Sequence, residues 1–89
     1  MKIIDGFLLS ELDGGYVAVA TGAAASKFNG IIRMNDTGHS IMKGLMEGKT
    51  SEEIARELVE QYDGVDLIRA KKETDGMIEK LRRKGIIEE

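Results

Sequence analysis

The first third of the chain arranges its apolar and polar side chains in short alternating stretches, which is typical of strands. Residues 7–12 and 16–20 each indicate one strand, and Asp13-Gly14-Gly15 between them is a turn sequence because glycine tolerates positive φ. Residues 21–27 connect this hairpin to residues 28–35, and everything before residue 28 is expected to be extended. The pattern predicts a three-stranded antiparallel meander.

Residues 28–35 are the predicted joint between the sheet and the helices. One side of an extended chain here carries residues suited to a core: Phe28, Ile32 and Met34. The other side mixes polar and apolar residues, as an exposed or ligand-facing side does: Asn29, Ile31 and Arg33. Gly30 has no side chain to pack, which predicts a bulge or a close backbone approach.

Helical spacing governs the rest of the chain, with helices predicted at about residues 37–47, 50–62 and 66–84. Asn35-Asp36-Thr37 offers three candidate caps for the first helix, and Thr50 with Glu53 forms a capping box at the second. Gly85 ends the third, after which Ile86-Ile87 can fold back under the sheet. The predicted buried faces are Ile41, Met42, Leu45 and Met46; then Ile54, Ala55, Leu58, Val59 and Tyr62; then Leu67, Ala70, Thr74, Met77, Ile78 and Leu81.

The order β-β-β-α-α-α with short connections predicts an α+β fold of winged-helix type. It consists of a three-stranded antiparallel sheet followed by a three-helix bundle, in one domain that spans residues 1–89.

Composition restricts the classes of function. The 89 residues include no cysteine, so neither a disulfide framework nor thiolate metal ligands are available. No apolar run approaches the roughly 20 residues of a membrane span, and no signal segment opens the chain. A cytoplasmic protein without membrane association is expected.

The net charge of −3 is unevenly distributed. Residues 66–84 contain seven basic and four acidic residues, a local charge of +3. This asymmetry favours an acidic partner for the last helix. The alternative is a solvated helix face with ion pairs such as Glu79–Arg83.

Three features with possible catalytic meaning have simpler explanations. The stretch from Gly44 to Thr50 resembles a P-loop, but only three residues separate its glycines where the motif needs four, and it joins two helices. His39 is the only histidine, so a metal site is not expected. The outer side of the second helix carries acids typical of solvation: Glu52, Glu53, Glu57 and Glu60. No enzyme activity and no cofactor are expected.

A winged-helix DNA-binding regulator is the alternative function. Duplex binding needs several lysines and arginines on the recognition surface. The second helix is acidic, and only the third is basic, so no nucleic acid is expected as a partner.

Several stretches resemble the PqqD family of small peptide chaperones, whose fold is also called the RiPP recognition element. They are Asn29 to Gly38, Lys49 to Ala55, Glu60 to Asp63, Asp75 to Leu81 and Gly85 to Ile87. The chain departs from the family at Met42 and Gly44, where many relatives carry tryptophan or another bulky residue.

The resemblance implies binding without catalysis: capture of the leader of a ribosomally made precursor peptide and its presentation to a radical SAM maturation enzyme, as in pyrroloquinoline quinone biosynthesis. The leader would add as a strand beside the third strand, in a groove bounded by the third helix. The implied peptide-binding residues are Gly30, Ile31, Ile32, Arg33, Met34, Lys71, Asp75, Ile78 and Arg82.

Two consequences of this assignment are open to experiment. Arg33→Glu or Lys71→Glu is expected to weaken peptide binding without unfolding the protein. The exposed edge strand could instead pair with a second copy, so a monomer or a weak homodimer is expected.

Overall fold

The computed structural model describes residues 1–88, and the predicted domain limit at residue 89 lies one residue outside them. These residues form five strands and four helices: β1 (Lys2–Ile3), β2 (Phe7–Leu12), β3 (Gly15–Ala20), α1 (Ala23–Lys27), β4 (Ile31–Met34), α2 (Asp36–Met46), α3 (Ser51–Gln61), α4 (Leu67–Arg83) and β5 (Ile87–Glu88).

The predicted three-stranded antiparallel sheet is confirmed, with the strand order β2-β3-β4. Asp13 and Gly14 form the β2–β3 turn, with φ angles of 50° and 78°. Two successive residues of positive φ are what a tight hairpin matched to the twist of the strands requires. The meander therefore follows from the local sequence.

The expectation that everything before residue 28 is extended is wrong, because Ala23–Lys27 forms the short helix α1. A five-residue alanine-rich segment is too short to be helical by itself. It is held by tertiary contacts: Ala24 is fully buried, and the Thr21 N–H and hydroxyl both donate to the Gly6 carbonyl, at 2.7 and 2.6 Å.

The third strand is consequently shorter than predicted. Phe28 ends α1, donating its N–H to the Ala24 carbonyl at 2.8 Å, and β4 begins only at Ile31. Within β4 the predicted alternation is confirmed, since Ile32 and Met34 are buried and Ile31 and Arg33 are exposed.

Gly30 serves a different purpose from the predicted one. Nothing lies within 4 Å of the position its Cβ would occupy, and the register from Ile31 to Met34 runs without a bulge. The backbone instead has a φ of 136° there, a conformation that side chains rarely adopt. Glycine is required for the entry into β4.

The predicted helix starts are confirmed. Asn35 is the cap of α2 and accepts from the Gly38 N–H at 2.9 Å, while Thr50 and Glu53 form the capping box of α3. Three residues of the predicted buried faces are exposed instead: Met46, Val59 and Leu67. They lie at the margin of a stripe or at a helix end, where a bundle of three short helices provides nothing to cover them.

The C-terminal segment packs back, as predicted, but through a pairing that the sequence did not indicate. Gly85, with a φ of 78°, ends α4, and Ile86 is fully buried. Ile87 then pairs with Ile3 in the two-stranded β1–β5 sheet, and the Ile4 N–H donates to the Ile86 carbonyl at 3.0 Å. The short strands β1 and β5, from opposite ends of the described chain, are thereby paired beside α4.

Replacement of Thr74 by valine is expected to stabilise the protein. Thr74 is 0 % exposed in α4, and its hydroxyl has no hydrogen-bond partner among residues 1–88. Because an unpaired buried hydroxyl is unfavourable, Thr74→Val should raise the free energy of unfolding by about 1 kcal/mol in urea denaturation. Thr74→Ser keeps the hydroxyl and loses the methyl group, so it should lower that free energy. An equal decrease in the free energy of unfolding in both variants would contradict this explanation.

The capping box of α3 should make stability depend on pH. The Thr50 N–H donates to Glu53 Oε1 at 2.9 Å, and this bond lowers the pKa of Glu53 from its usual value of 4.5. Since folding favours the ionised form, the stabilisation is present above about pH 4.5 and is lost as the pH falls through the lowered pKa of the folded state. The difference in unfolding free energy between wild type and Glu53→Gln should shrink from about pH 7 to about pH 3. A difference independent of pH would disprove this contribution.

Candidate functional site

One edge of the three-stranded sheet is open beside α4. The strand β4 pairs with β3 on one side, and no strand of residues 1–88 pairs with its other side. Alternate residues of such an edge direct N–H and C=O groups outwards, where an additional extended chain can pair with them.

A groove separates this edge from α4, and we call it the β4–α4 groove. Its main cavity, of about 560 Å³, is lined by Arg33, Met34, Asn35, Gly38, Met77 and Lys80, and at one end by the β2–β3 turn residues Asp13, Gly14 and Gly15. A second cavity, of about 240 Å³, shares Met77 and Lys80 and extends along α4 to Gly76 and Glu73. The groove thus combines backbone donors and acceptors, two methionines and charged groups.

Unpaired positive charge lies along the groove. Neither Arg33 nor Lys80 forms an ion pair with any residue of the described chain. The one acid on this face of α4, Glu73, has one oxygen 3.7 Å from Arg69 Nε, whereas its other oxygen is buried without a hydrogen-bond partner. One arginine and one lysine without ion-pair partners among residues 1–88 favour a ligand that carries carboxylates.

The structure brings together only some of the residues implied as peptide-binding. Gly30 leads into β4, Ile31 and Arg33 lie exposed on the edge strand, and Met34 borders the groove. Ile32 and Ile78, at 2 % and 5 % exposure, are part of the core. Neither presents a side chain to a ligand in this conformation.

The implied charged residues of α4 lie elsewhere. Lys71 Nζ is 3.8 Å from Asp75 Oδ2, and Lys71 borders a separate cavity on the α3 side, together with Glu52, Arg56 and Leu67. Arg82 pairs with Glu79 at 3.2 Å, and the expected Glu79–Arg83 pair is also present, at 3.7 Å. None of these residues lines the β4–α4 groove. For a peptide bound in this groove, Lys71→Glu is therefore expected to have little effect, in place of the weaker binding expected from the sequence.

The flank of α4 that does line the groove was not predicted from the sequence. Glu73 lies three and four residues before Gly76 and Met77, and Lys80 lies four and three residues after them, so the four residues share one face of the helix. This face lies along one side of the buried stripe of α4, and Lys71 and Asp75 lie along the opposite side of the same stripe. The periodicity could have identified two candidate flanks, but nothing in it distinguishes them.

The sequence features with possible catalytic meaning have structural roles. Thr50 caps α3, and Lys49 Nζ lies 2.9 Å from Glu57 and 3.3 Å from Glu47 in the α2–α3 connection. Hydrogen bonds to these carboxylates, Glu57 above all, raise the pKa of Lys49. His39 stacks on Tyr16, with ring centroids 4.0 Å apart. Within residues 1–88, no three His, Asp or Glu side chains are grouped as metal ligands, and no helix is long and apolar enough to cross a bilayer.

Two solved structures share this fold. TbiB1 in complex with the TbiA(beta) leader peptide has a TM-score of 0.74 and 24 % sequence identity, over 99 % of this chain and 95 % of that one. Lasso peptide synthetase B1 complexed with the leader peptide has a TM-score of 0.70 and 19 % identity, over 96 % of this chain and 93 % of that one. At these identities the likeness concerns the fold.

Comparison with curated proteins gave no match. Residues 7–87, from the first strand of the three-stranded sheet to the last short strand, match the family model described as coenzyme PQQ synthesis protein D (PqqD). The match includes β4, α4 and the groove between them. The chain therefore belongs to the PqqD family.

Proposed function

We propose that this protein is a non-catalytic chaperone that binds the leader of a ribosomally made precursor peptide as an additional strand beside β4. The observation that carries the proposal is the open edge of β4, which borders a groove with two cations, Arg33 and Lys80, that have no ion-pair partner among residues 1–88. Two independent findings support it. The chain belongs to the PqqD family, and both similar solved structures are complexes with leader peptides.

Strand addition needs an open edge and few side-chain contacts. The backbone of an extended peptide supplies the missing hydrogen bonds whatever its sequence, while its side chains alternate between the two faces of the sheet. Side chains on the inner face enter the groove beside Met34 and Met77. Methionine is flexible and polarisable, so these contacts accommodate side chains of different shape.

The proposed role assigns no chemical step to this chain. A separate enzyme would modify the bound peptide, and the resemblance to PqqD proteins makes a radical SAM enzyme the proposed partner. Mixing the labelled protein with a radical SAM maturation enzyme from the same organism, with and without precursor peptide, tests this part. Complex formation on a sizing column would support it, and separate elution in both samples would remove this enzyme as the partner.

An amide NMR titration with the precursor peptide encoded beside the protein tests peptide binding itself. Amide shifts are expected in residues 31–35 and 73–80, the segments of β4 and α4 that border the groove. A proline in the paired peptide segment removes a ladder hydrogen bond and should abolish binding, whereas alanine at the same position should be tolerated when its side chain points to solvent.

Three results would contradict the proposal. Shifts confined to the Lys71 cavity would move the site to the other flank of α4. Equal tolerance of proline and alanine would exclude backbone pairing. Shifts with duplex DNA in a parallel sample, without shifts from peptide, would make this protein a regulator.

The same open edge bears on oligomeric state. We propose a monomer or weak homodimer for the free protein, because β4 offers only four residues for pairing with a second copy. Size-exclusion chromatography over a concentration series would measure this. A dimer that persists on dilution and is unaffected by peptide would contradict it.

A further inference from the structure

On the outer face of the sheet, two neighbouring rows of side chains run across the strands from β2 to β4, and the two rows differ in chemistry. The register places Leu8, Val19 and Ile31 side by side across the three strands, and Ser10, Val17 and Arg33 in the next outer row. Leu8 is 61 % exposed and Ile31 is 47 % exposed, so the apolar row reaches the open edge uncovered. The neighbouring row ends in a cation that has no ion-pair partner in residues 1–88.

An added strand would continue both rows, because residues directly opposite each other on neighbouring strands share a face of the sheet. We infer, on the basis of the proposed function, that the recognised peptide segment reads apolar–acidic–any–apolar from its N-terminus. The acidic residue lies opposite Arg33, the last apolar residue opposite Ile31, and the first apolar residue opposite Met34.

The outer positions follow from charge and exposed apolar surface. A carboxylate opposite Arg33 forms a cross-strand ion pair with a side chain that has no other carboxylate partner in the described chain. An apolar side chain opposite Ile31 covers surface that is now in water and becomes the fourth member of the row begun by Leu8 and Val19.

The inner position follows from the groove. Met34 points to the inner face of the sheet, so the peptide residue opposite it does too, and Met77 and Lys80 lie across the same cavity. An apolar side chain there packs against two methionines. The position between the acid and the last apolar residue lies opposite Ile32, whose side chain is in the core, and it is left unspecified.

The order of these residues depends on strand direction. All pairs in the existing sheet are antiparallel, and antiparallel pairing is slightly more stable per residue than parallel pairing. An antiparallel peptide meets Met34 first and Ile31 last. A parallel peptide would reverse the pattern and place the apolar residue two positions before the acid.

Selection of a phage-displayed library of random 12-residue peptides on the immobilised full-length protein tests the pattern. Wild type should enrich apolar–acidic–any–apolar. Arg33→Glu should replace the acidic position by lysine or arginine and leave both apolar positions unchanged. Lys71→Glu, the same change of charge on the other flank of α4, should enrich the wild-type pattern.

One enriched peptide, made synthetically, gives the matched quantitative test. Replacing its acid by lysine should weaken binding to wild type roughly tenfold, and Arg33→Glu should restore most of that loss. A nitroxide attached through a cysteine at the peptide's N-terminus should broaden the amides of Gly14 and Asn35, whereas one at its C-terminus should broaden those near Gly30. The protein itself contains no cysteine that would interfere.

The outcomes separate this inference from the proposed function. Peptides that shift the β4 amides but share no acid, or whose acid does not respond to Arg33→Glu, would overturn the pattern and leave strand addition intact. The reversed order would overturn the antiparallel direction and thus the stated pattern. Failure to enrich any peptide, or enrichment of peptides that do not shift the β4 amides, would overturn both.

Discussion

Reversal of both groove charges, Arg33→Glu with Lys80→Glu, is expected to weaken leader-peptide binding about thirtyfold or more, while Lys71→Glu changes it less than about twofold. Both groove cations lack ion-pair partners within residues 1–88, so each reversal turns an attraction for an acidic peptide into a repulsion. Isothermal titration calorimetry of the single and double variants measures the effect.

Lys71→Glu is the matched control because it makes the same change of charge on the same helix. Its side chain lies 3.8 Å from Asp75, on the α3 side of α4. General electrostatic attraction would respond equally to Lys71 and Lys80, whereas contacts in the groove respond only to Lys80. High salt should reduce the effect of the groove reversals. A loss at Lys71 as large as that at Lys80 would place the peptide on the opposite flank.

Replacement of Gly44 by alanine is expected to lower the free energy of unfolding by about 1–2 kcal/mol. Two effects oppose each other. Alanine in a helix is favoured over glycine by about 0.5–1 kcal/mol. The added Cβ, however, would lie 2.8 Å from Ile54 Cγ1 and 3.1 Å from Ile54 Cδ1, and Gly44 and Ile54 are both buried where α2 meets α3. Because the nearer atom is next to the branch of isoleucine and cannot swing away, the clash prevails.

Gly76→Ala is the control for helix propensity, since nothing lies within 4 Å of its added Cβ in α4. That variant should gain about 0.5–1 kcal/mol in urea denaturation. Ile54→Ala removes both clashing atoms, so Gly44→Ala should cost less in the Ile54→Ala background than in the wild type. If Gly44→Ala instead stabilised the protein as much as Gly76→Ala, the predicted clash with Ile54 would be absent, because α2 and α3 could move apart without loss of stability.

Gly44 also illustrates what resemblance can miss. The resemblance to the PqqD family marks this glycine as a departure. In the structure it is matched by Ile54, which fills the space from the facing helix. The sequence shows the glycine and the isoleucine, but only the packing of α2 against α3 relates them.

Features set by neighbouring residues were predictable. The Asp13-Gly14 turn, the Asn35 cap, the Thr50–Glu53 capping box and the alternation in β4 each depend on hydrogen bonds or dihedral angles within about four residues. From these follow the strands, the helix starts and the exposure of Ile31 and Arg33. This is the sheet half of the candidate site.

Features that depend on distant residues were not predictable. The helix α1 needs the Gly6 carbonyl for Thr21 and a core position for Ala24, and β5 needs β1 from the other end of the chain. Propensity alone gives no reason for a five-residue helix or for two-residue strands.

The helical half of the site belongs to this second class. Residue spacing alone establishes that α4 buries one stripe, which includes Ala70, Thr74 and Leu81, and that charged residues flank it on both sides. Periodicity treats the two flanks alike, because it defines a direction around the helix axis and not a neighbour. The packing of α4 on α2 and α3 turns the flank of Met77 and Lys80 towards β4 and that of Lys71 towards α3. The cations that face the open strand are therefore set by how the helices pack, which residue spacing does not specify.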